Sequence, residues 1–95
     1  MPALVIVEVS IHNPELYEEY KKHTLGTIEK FGGRFLVRGV KNESLEGDWN
    51  PERLVILEFP NVDTAKSWWS SPEYSKIKTI RYEAAKSKML VVESN

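Results

Sequence analysis

The apolar positions of this chain change period several times, and each change marks an element boundary. The segment ALVIVEV, Ala3 to Val9, is rich in β-branched residues and reads as a buried strand. Asn13-Pro14-Glu15 then carries the chemistry of a helix start: a capping side chain, a proline where no amide hydrogen is needed, and an acid at the positive dipole end. Tyr17, Tyr20, Ile28 and Phe31 fall near helical spacing and mark the inner face, while Gly26 is a point of weakness or bending and Gly32-Gly33 is the stop. RFLVRG, Arg34 to Gly39, is a second strand, and Val40 to Asn50 form a polar loop holding Gly47 and Trp49. RLVILEF, Arg53 to Phe59, is a third strand closed by Pro60. Asn61 and Asp63 are candidate caps for a short helix with Ala65, Trp68 and Trp69. Ser71-Pro72-Glu73 repeats the helix-start chemistry, so WWSSPEY spans a break between two helices; Ile77, Ile80 and Ala84 continue the second, and KMLVVE, Lys88 to Glu93, is the last strand.

The order is βαββαβ with the second helix broken in two, which is the ferredoxin-like pattern. The expected class is α+β: a single domain, residues 1–95, with a four-stranded antiparallel sheet and its helices on one face. The first and third strands are expected at the centre, parallel to one another, and the second and fourth at the edges.

Strand side chains alternate, so each strand sorts into two rows. Val5, Val7, Phe35, Val37, Val55, Leu57, Phe59, Met89 and Val91 form an apolar row for the helices to cover. The opposite row is aliphatic at its centre, with Leu4, Ile6, Leu36, Leu54, Ile56, Leu90 and Val92, and charged at its ends, with Glu8, Arg34, Arg38, Glu58 and Lys88. A solvated sheet face is normally polar, and a contiguous apolar patch marks an interaction surface. A second copy of the same sheet is the expected cover, so homodimerisation through the helix-free face is predicted.

On parallel neighbouring strands Glu8 and Glu58 would lie side by side, each raising the other's pKa. If Arg34 faces Glu58 across the hairpin, Leu36 faces Ile56 and Arg38 faces Leu54. Glu8, Glu58 and Arg34 then cluster at one end of a cleft, either as an acid–base and anion-binding group or as ion pairs that fix the dimer register. Trp68, Trp69 and Tyr74 either line a pocket or fill the core between the helix pieces. Tyr17 and Tyr20 read as core residues with hydroxyls at the rim. Arg81 lies beside the inner helix face, to meet a ligand anion or a local carboxylate. His23, on the first helix, is either a lone general base or an exposed residue; His12 falls in a turn, and the two lack metal-ligand spacing.

Composition narrows the classes further. Ninety-five residues suit one small domain whose own core is marginal. A net charge of −1 without a basic block argues against nucleic acid, and the longest apolar run near the start is too short for a membrane span. The chain has no cysteine, so disulfides and thiolate chemistry are excluded, and a cytoplasmic location is expected. No phosphate-cradling loop or catalytic triad pattern is present.

GGRFLVRG, LEGDWNPERLVILEFP and WWSSPEY, in this order with Arg81 downstream, resemble the family called domain of unknown function 1330 over nearly the whole chain. The family pattern is matched at Gly32, Gly33, Arg38, Gly39, Glu46, Gly47, Trp49, Arg53, Glu58, Phe59, Trp68, Ser71, Pro72, Glu73, Tyr74 and Arg81. It departs at Val40, where a second glycine is common, and at Trp69, where tyrosine is usual. The resemblance implies a dimeric α+β barrel, two ferredoxin-like sheets packed face to face, and supplies no assigned reaction. Related barrels include cofactor-free monooxygenases, isomerases and haem-handling enzymes, an analogy of fold only.

Two functions are therefore expected to compete. In the first, a small, oxygenated or anionic organic ligand sits between sheet and helices or at the barrel end. Arg38, Arg34 and Arg81 hold it, Trp49, Trp68 and Tyr74 wall it, and Glu58, Glu8 or His23 acts as base in cofactor-free isomerisation or oxygenation. In the second, the dimer is non-catalytic, with a structural or metabolite-binding role. No metal or cofactor is expected; haem ranks third, with His23 as its only helix histidine.

Overall fold

The computed structural model describes residues 1–39 and 41–95, so the substitution at Val40 lies outside the described residues. The chain runs β1 (Ala3–Ile11), α1 (Pro14–Lys30), β2 (Arg34–Gly39), β3 (Arg53–Phe59), α2 (Val62–Ser70), α3 (Pro72–Ala84), β4 (Ala85–Glu93). The element order is the expected one, with β2 and β3 at the expected bounds. β1 is two residues longer than expected and β4 starts three residues earlier, directly from the end of α3. No helix among the described residues is long and apolar enough to cross a membrane.

Local chemistry sets the boundaries. The Asn13 side chain accepts the Leu16 amide at 3.2 Å and Pro14 occupies the first helical position. At the other end of α1, Gly32 adopts φ +75°. Its amide bonds Glu29 O at 3.0 Å and the Gly33 amide bonds Ile28 O at 2.9 Å, a paired C-terminal closure that favours glycine at the left-handed position. Gly26 causes no break, and α1 is continuous through it. Ser71 joins α2 to α3 by serving both: its hydroxyl donates to Trp68 O at 2.7 Å and accepts the Tyr74 amide at 3.1 Å.

The sheet order is β2-β3-β1-β4, every neighbouring pair antiparallel. The central strands β1 and β3 are therefore antiparallel, not parallel as the sequence reading has it. A crossover through α1 makes β2 parallel to β1, and the β2–β3 hairpin then reverses β3. Leu4 faces Glu58 and Glu8 faces Leu54, so the two glutamates sit at opposite ends of the open face.

The helices cover the sheet face carrying Val5, Val7, Val9, Val55, Leu57 and Phe59, all buried. Trp68 stacks between Phe59 and Tyr74, with ring centroids 5.2 and 4.1 Å away. The opposite face is bare of helices. Ile6 and Ile56 face each other at its centre and are half-buried, and Leu36, Val37, Leu90 and Val92 are exposed.

β2 contains a bulge. Arg34 faces Glu58 and Phe35 faces Leu57, but the register shifts, so that Val37 faces Ile56 and Arg38 faces Val55. Leu36 is the extra residue. The expected pairings of Leu36 with Ile56 and Arg38 with Leu54 are corrected accordingly: Val37 joins the open face and Arg38 moves to the helix side.

Candidate functional site

A cavity of about 60 Å³ lies between the helix-facing side of the sheet and α1 and α3. Valines 7, 9 and 55 and Ile28 give it an apolar floor and wall, and Trp68 closes one side. Its polar lining is one-sided in charge. Lys21, Arg38, Arg53 and Arg81 contribute cations, Tyr17, Tyr20 and Thr24 contribute hydroxyls, and among the described residues no Asp or Glu lines it. In a chain with 14 acids against 13 bases, this is a local separation of charge that an anion would complement.

Each arginine reaches the cavity for a different reason. Arg81 lies in the last turn of α3, where a cation favours the helix dipole, and it is 4% exposed. One of its terminal nitrogens donates to the Ser87 hydroxyl at the start of β4. Arg53 is the first residue of β3 and shares its side with Val55 and Leu57; its guanidinium lies 5.8 Å from the Tyr17 ring centroid. Arg38, turned inward by the bulge, lies 3.9 Å over the Phe35 ring and stays exposed at the rim. None of the three lies within ion-pair distance of a carboxylate among the described residues. The Nε atoms of Arg53 and Arg81 are buried with no acceptor among the described residues, a costly state for a charged donor, although Tyr17 and Tyr74 serve other atoms of the two guanidinium groups.

The tyrosines are poor bases. Burial pushes the Tyr17 phenol up, against the pull of Arg53 and Arg81. Burial, reinforced by Tyr74, pushes Tyr20 well above its ordinary value. Tyr20 and Tyr74 share a 2.7 Å hydroxyl–hydroxyl bond. Burial works against the Arg81 charge, but Tyr74 and Tyr20 outweigh it and hold the guanidinium above its usual range. At neutral pH the cavity thus presents fixed cations and neutral phenols.

The other residues singled out from the sequence lie elsewhere. Arg34 and Glu58 form a cross-strand pair on the open face, Nε to Oε1 2.9 Å. Glu8, at the far end of that face, accepts the Trp49 indole N–H at 2.6 Å, which ties the β2–β3 loop to β1. The proposed cluster of Glu8, Glu58 and Arg34 is not formed, because antiparallel β1 and β3 carry the two acids apart. His23 is exposed on α1 with Nε2 3.4 Å from Glu19. His12 is exposed, and its Nε2 lies 2.8 Å from Glu83 O. Among the described residues no group of three or more His, Asp or Glu is placed to hold a metal. Of the WWSSPEY aromatics, Trp68 lines the cavity, Tyr74 is wholly buried behind it, and Trp69 is 45% exposed beside Lys78, whose Nζ lies 3.4 Å from the ring centroid.

Arg53 is the residue that reading the strands for candidate chemistry missed; it entered only through the family pattern. The signal was available, because Arg53 has the parity of Val55, Leu57 and Phe59 and so belongs to the covered row.

Sheet order, helix placement and the bare sheet face define a ferredoxin-like α+β protein with an arginine-lined cavity between its layers. Over residues 2–95 the chain belongs to the DUF1330 family, a domain of unknown function. No curated protein matches it in sequence. Among solved structures it is similar to a protein of unknown function from Rhodopseudomonas palustris, with TM-score 0.80 and 20% identity over 99% of this chain and 82% of that one. It is similar to a dimeric ferredoxin-like protein of unknown function from Jannaschia sp. CCS1, with TM-score 0.76 and 8% identity over 99% and 100%. It is also similar to SnoaB, a cofactor-independent oxygenase from Streptomyces nogalater, with TM-score 0.73 and 14% identity over 99% and 93%. At these identities the likeness is one of fold.

Proposed function

We propose that this protein is a homodimer in which each protomer binds a small organic anion in the cavity between sheet and helices. The observation that carries the reading is the lining itself: among the described residues, four cationic side chains, no acid, and two buried guanidinium Nε atoms lacking a protein acceptor. A carboxylate between Arg81 and Arg53 would satisfy both donors, with Arg38 at the mouth and Trp68 and Tyr17 as apolar wall. Tyr74 supports this wall from behind through its stack on Trp68. The dimer is supported by the aliphatic open face and by the dimeric Jannaschia neighbour.

Binding without catalysis is the better-supported form, since among the described residues the cavity lining holds no carboxylate or imidazole to act as a general base. Titration of isotope-labelled protein with acetate and benzoate, followed by NMR, tests it. Shifts should concentrate at Arg53, Arg81 and Trp68, and Arg53→Gln should weaken binding about ten- to a hundredfold, the worth of one charged hydrogen bond. Unchanged affinity in Arg53→Gln would remove the assignment.

The bond from Trp49 to Glu8 supports a second reading, in which a ligand occupies the end of the open face. Glu8 would act as base there in cofactor-free isomerisation or oxygenation; at the opposite end of the face Glu58 would be the base, with Arg34 balancing its charge. That reading expects turnover abolished by Glu8→Gln or Glu58→Gln and indifferent to Arg53→Gln. A base role for His23 would need a ligand on the exposed side of α1, and the same screen with His23→Ala tests it.

A further inference from the structure

The inner cavity has a neighbour. A groove of about 650 Å³ runs between α2, the end of α3 and β4. Trp68, Arg81 and Met89 line both spaces, so the two adjoin at these residues. The inner space is large enough for a carboxylate group and far below the roughly 300–1,000 Å³ of pockets that enclose whole organic ligands; the groove falls within that range. The groove is also walled by large rings left open to solvent. Trp69 is 45% exposed and Tyr82 56% exposed, and Tyr82 lies with its ring centroid 5.0 Å from the Arg81 guanidinium. Among the described residues its charged lining is Arg81 and Lys66, again with no acid.

We infer that cavity and groove are the head and body compartments of one site, and that its ligand is an amphipathic carboxylic acid. The carboxylate lies at Arg81 and Arg53, and the apolar body extends past Arg81 along the groove between Trp69 and Tyr82. This assignment rests on the anion-binding reading of the inner cavity and adds the class of molecule. Charge and shape agree on it. A small, fully polar anion would leave the aromatic groove unused, and a neutral apolar molecule would leave the buried Nε atoms of Arg53 and Arg81 without an acceptor. Lys78, held over the Trp69 ring, steadies that wall of the groove.

The test is a chain-length series of acetate, hexanoate and decanoate, with decanol as the uncharged control, titrated into the full chain and followed at the indole N–H signals. The expected affinity rises about three- to fourfold per added methylene, the increment of burying each in an apolar groove. Trp69→Ala and Tyr82→Ala, both at exposed positions, should weaken decanoate about fivefold or more and leave acetate unchanged. Decanol should bind at least tenfold more weakly than decanoate, and Arg53→Gln should erase that difference. Arg53-dependent acetate binding with no gain from chain length would overturn the groove assignment and leave the anion cavity standing. Equal binding of decanol and decanoate would overturn the carboxylate head. Failure of every carboxylate to bind would overturn this inference and the anion-binding reading together.

Discussion

Ile56→Asp is the substitution that most directly challenges the homodimer. Ile56 lies at the centre of the open face, opposite Ile6 on β1 and Val37 on β2, and it is half-buried in the protomer alone. In an isolated protomer the aspartate would remain at a solvated surface, costing little beyond strand preference, about 1 kcal/mol or less. Under a second sheet the loss is larger. Removing the buried side chain forfeits roughly 1.5–3 kcal/mol, and burying an unpaired carboxylate adds at least a further 1–3 kcal/mol. Two-fold symmetry repeats the lesion on both partners, so the dimer loses at least about 5 kcal/mol, more than a thousandfold in its dissociation constant. Sedimentation velocity over a micromolar range should show the variant at 11.0 kDa while wild type sediments at twice that mass. Circular dichroism should be unchanged. A variant that keeps wild-type spectrum and wild-type association would mean that the open face is covered by something other than its twin, or by nothing.

Other perturbations probe the site and its frame. The raised Tyr20 pKa makes stability fall with alkali: the contribution is whole below the unfolded phenol value of about 10 and is lost above it, as unfolded chains ionise while the folded phenol does not. Tyr20→Phe should flatten denaturation midpoints measured between about pH 9.5 and 11, and a slope equal to wild type would refute that cause. Gly33→Ala would place a Cβ 2.6 Å from Phe59 Cε1 and 2.8 Å from Ile28 Cγ2, a buried overlap expected to cost about 1–3 kcal/mol in urea unfolding. Glu58→Gln removes the Arg34 pair, whose arginine is largely exposed; in the monomeric Ile56→Asp background it should cost less than about 1 kcal/mol and lose its effect at high salt.

The parts of this fold that the sequence made legible are those decided by local chemistry. Ser71-Pro72-Glu73 identifies the joint between α2 and α3 because the cap, the proline and the acid act within one turn. The bounds of β2 and β3 follow from the Gly32-Gly33 pair, the polar loop and Pro60. The candidate site is less legible, because it depends on how strands pair. The antiparallel run of β1 against β3 separates Glu8 from Glu58; it follows from the α1 crossover and the β2–β3 hairpin, so the order of elements carries it and the parallel expectation does not fit that order. The bulge at Leu36 is invisible to a two-residue count, which puts Arg38 on the wrong face and Arg34, ahead of the bulge, on the right one. Arg81 was expected beside the inner helix face and is there, bonded to Ser87 instead of a carboxylate.

That extra residue in β2 can be removed without moving the cations of the chamber. Deleting Leu36 would restore strict alternation while Val37 stays opposite Ile56 and Arg38 stays opposite Val55 on the helix side. Relatives one residue shorter at this point would then keep the same charged lining and present one leucine fewer on the bare side, so a gap in one edge strand would tune self-association without any change among the residues that touch the ligand.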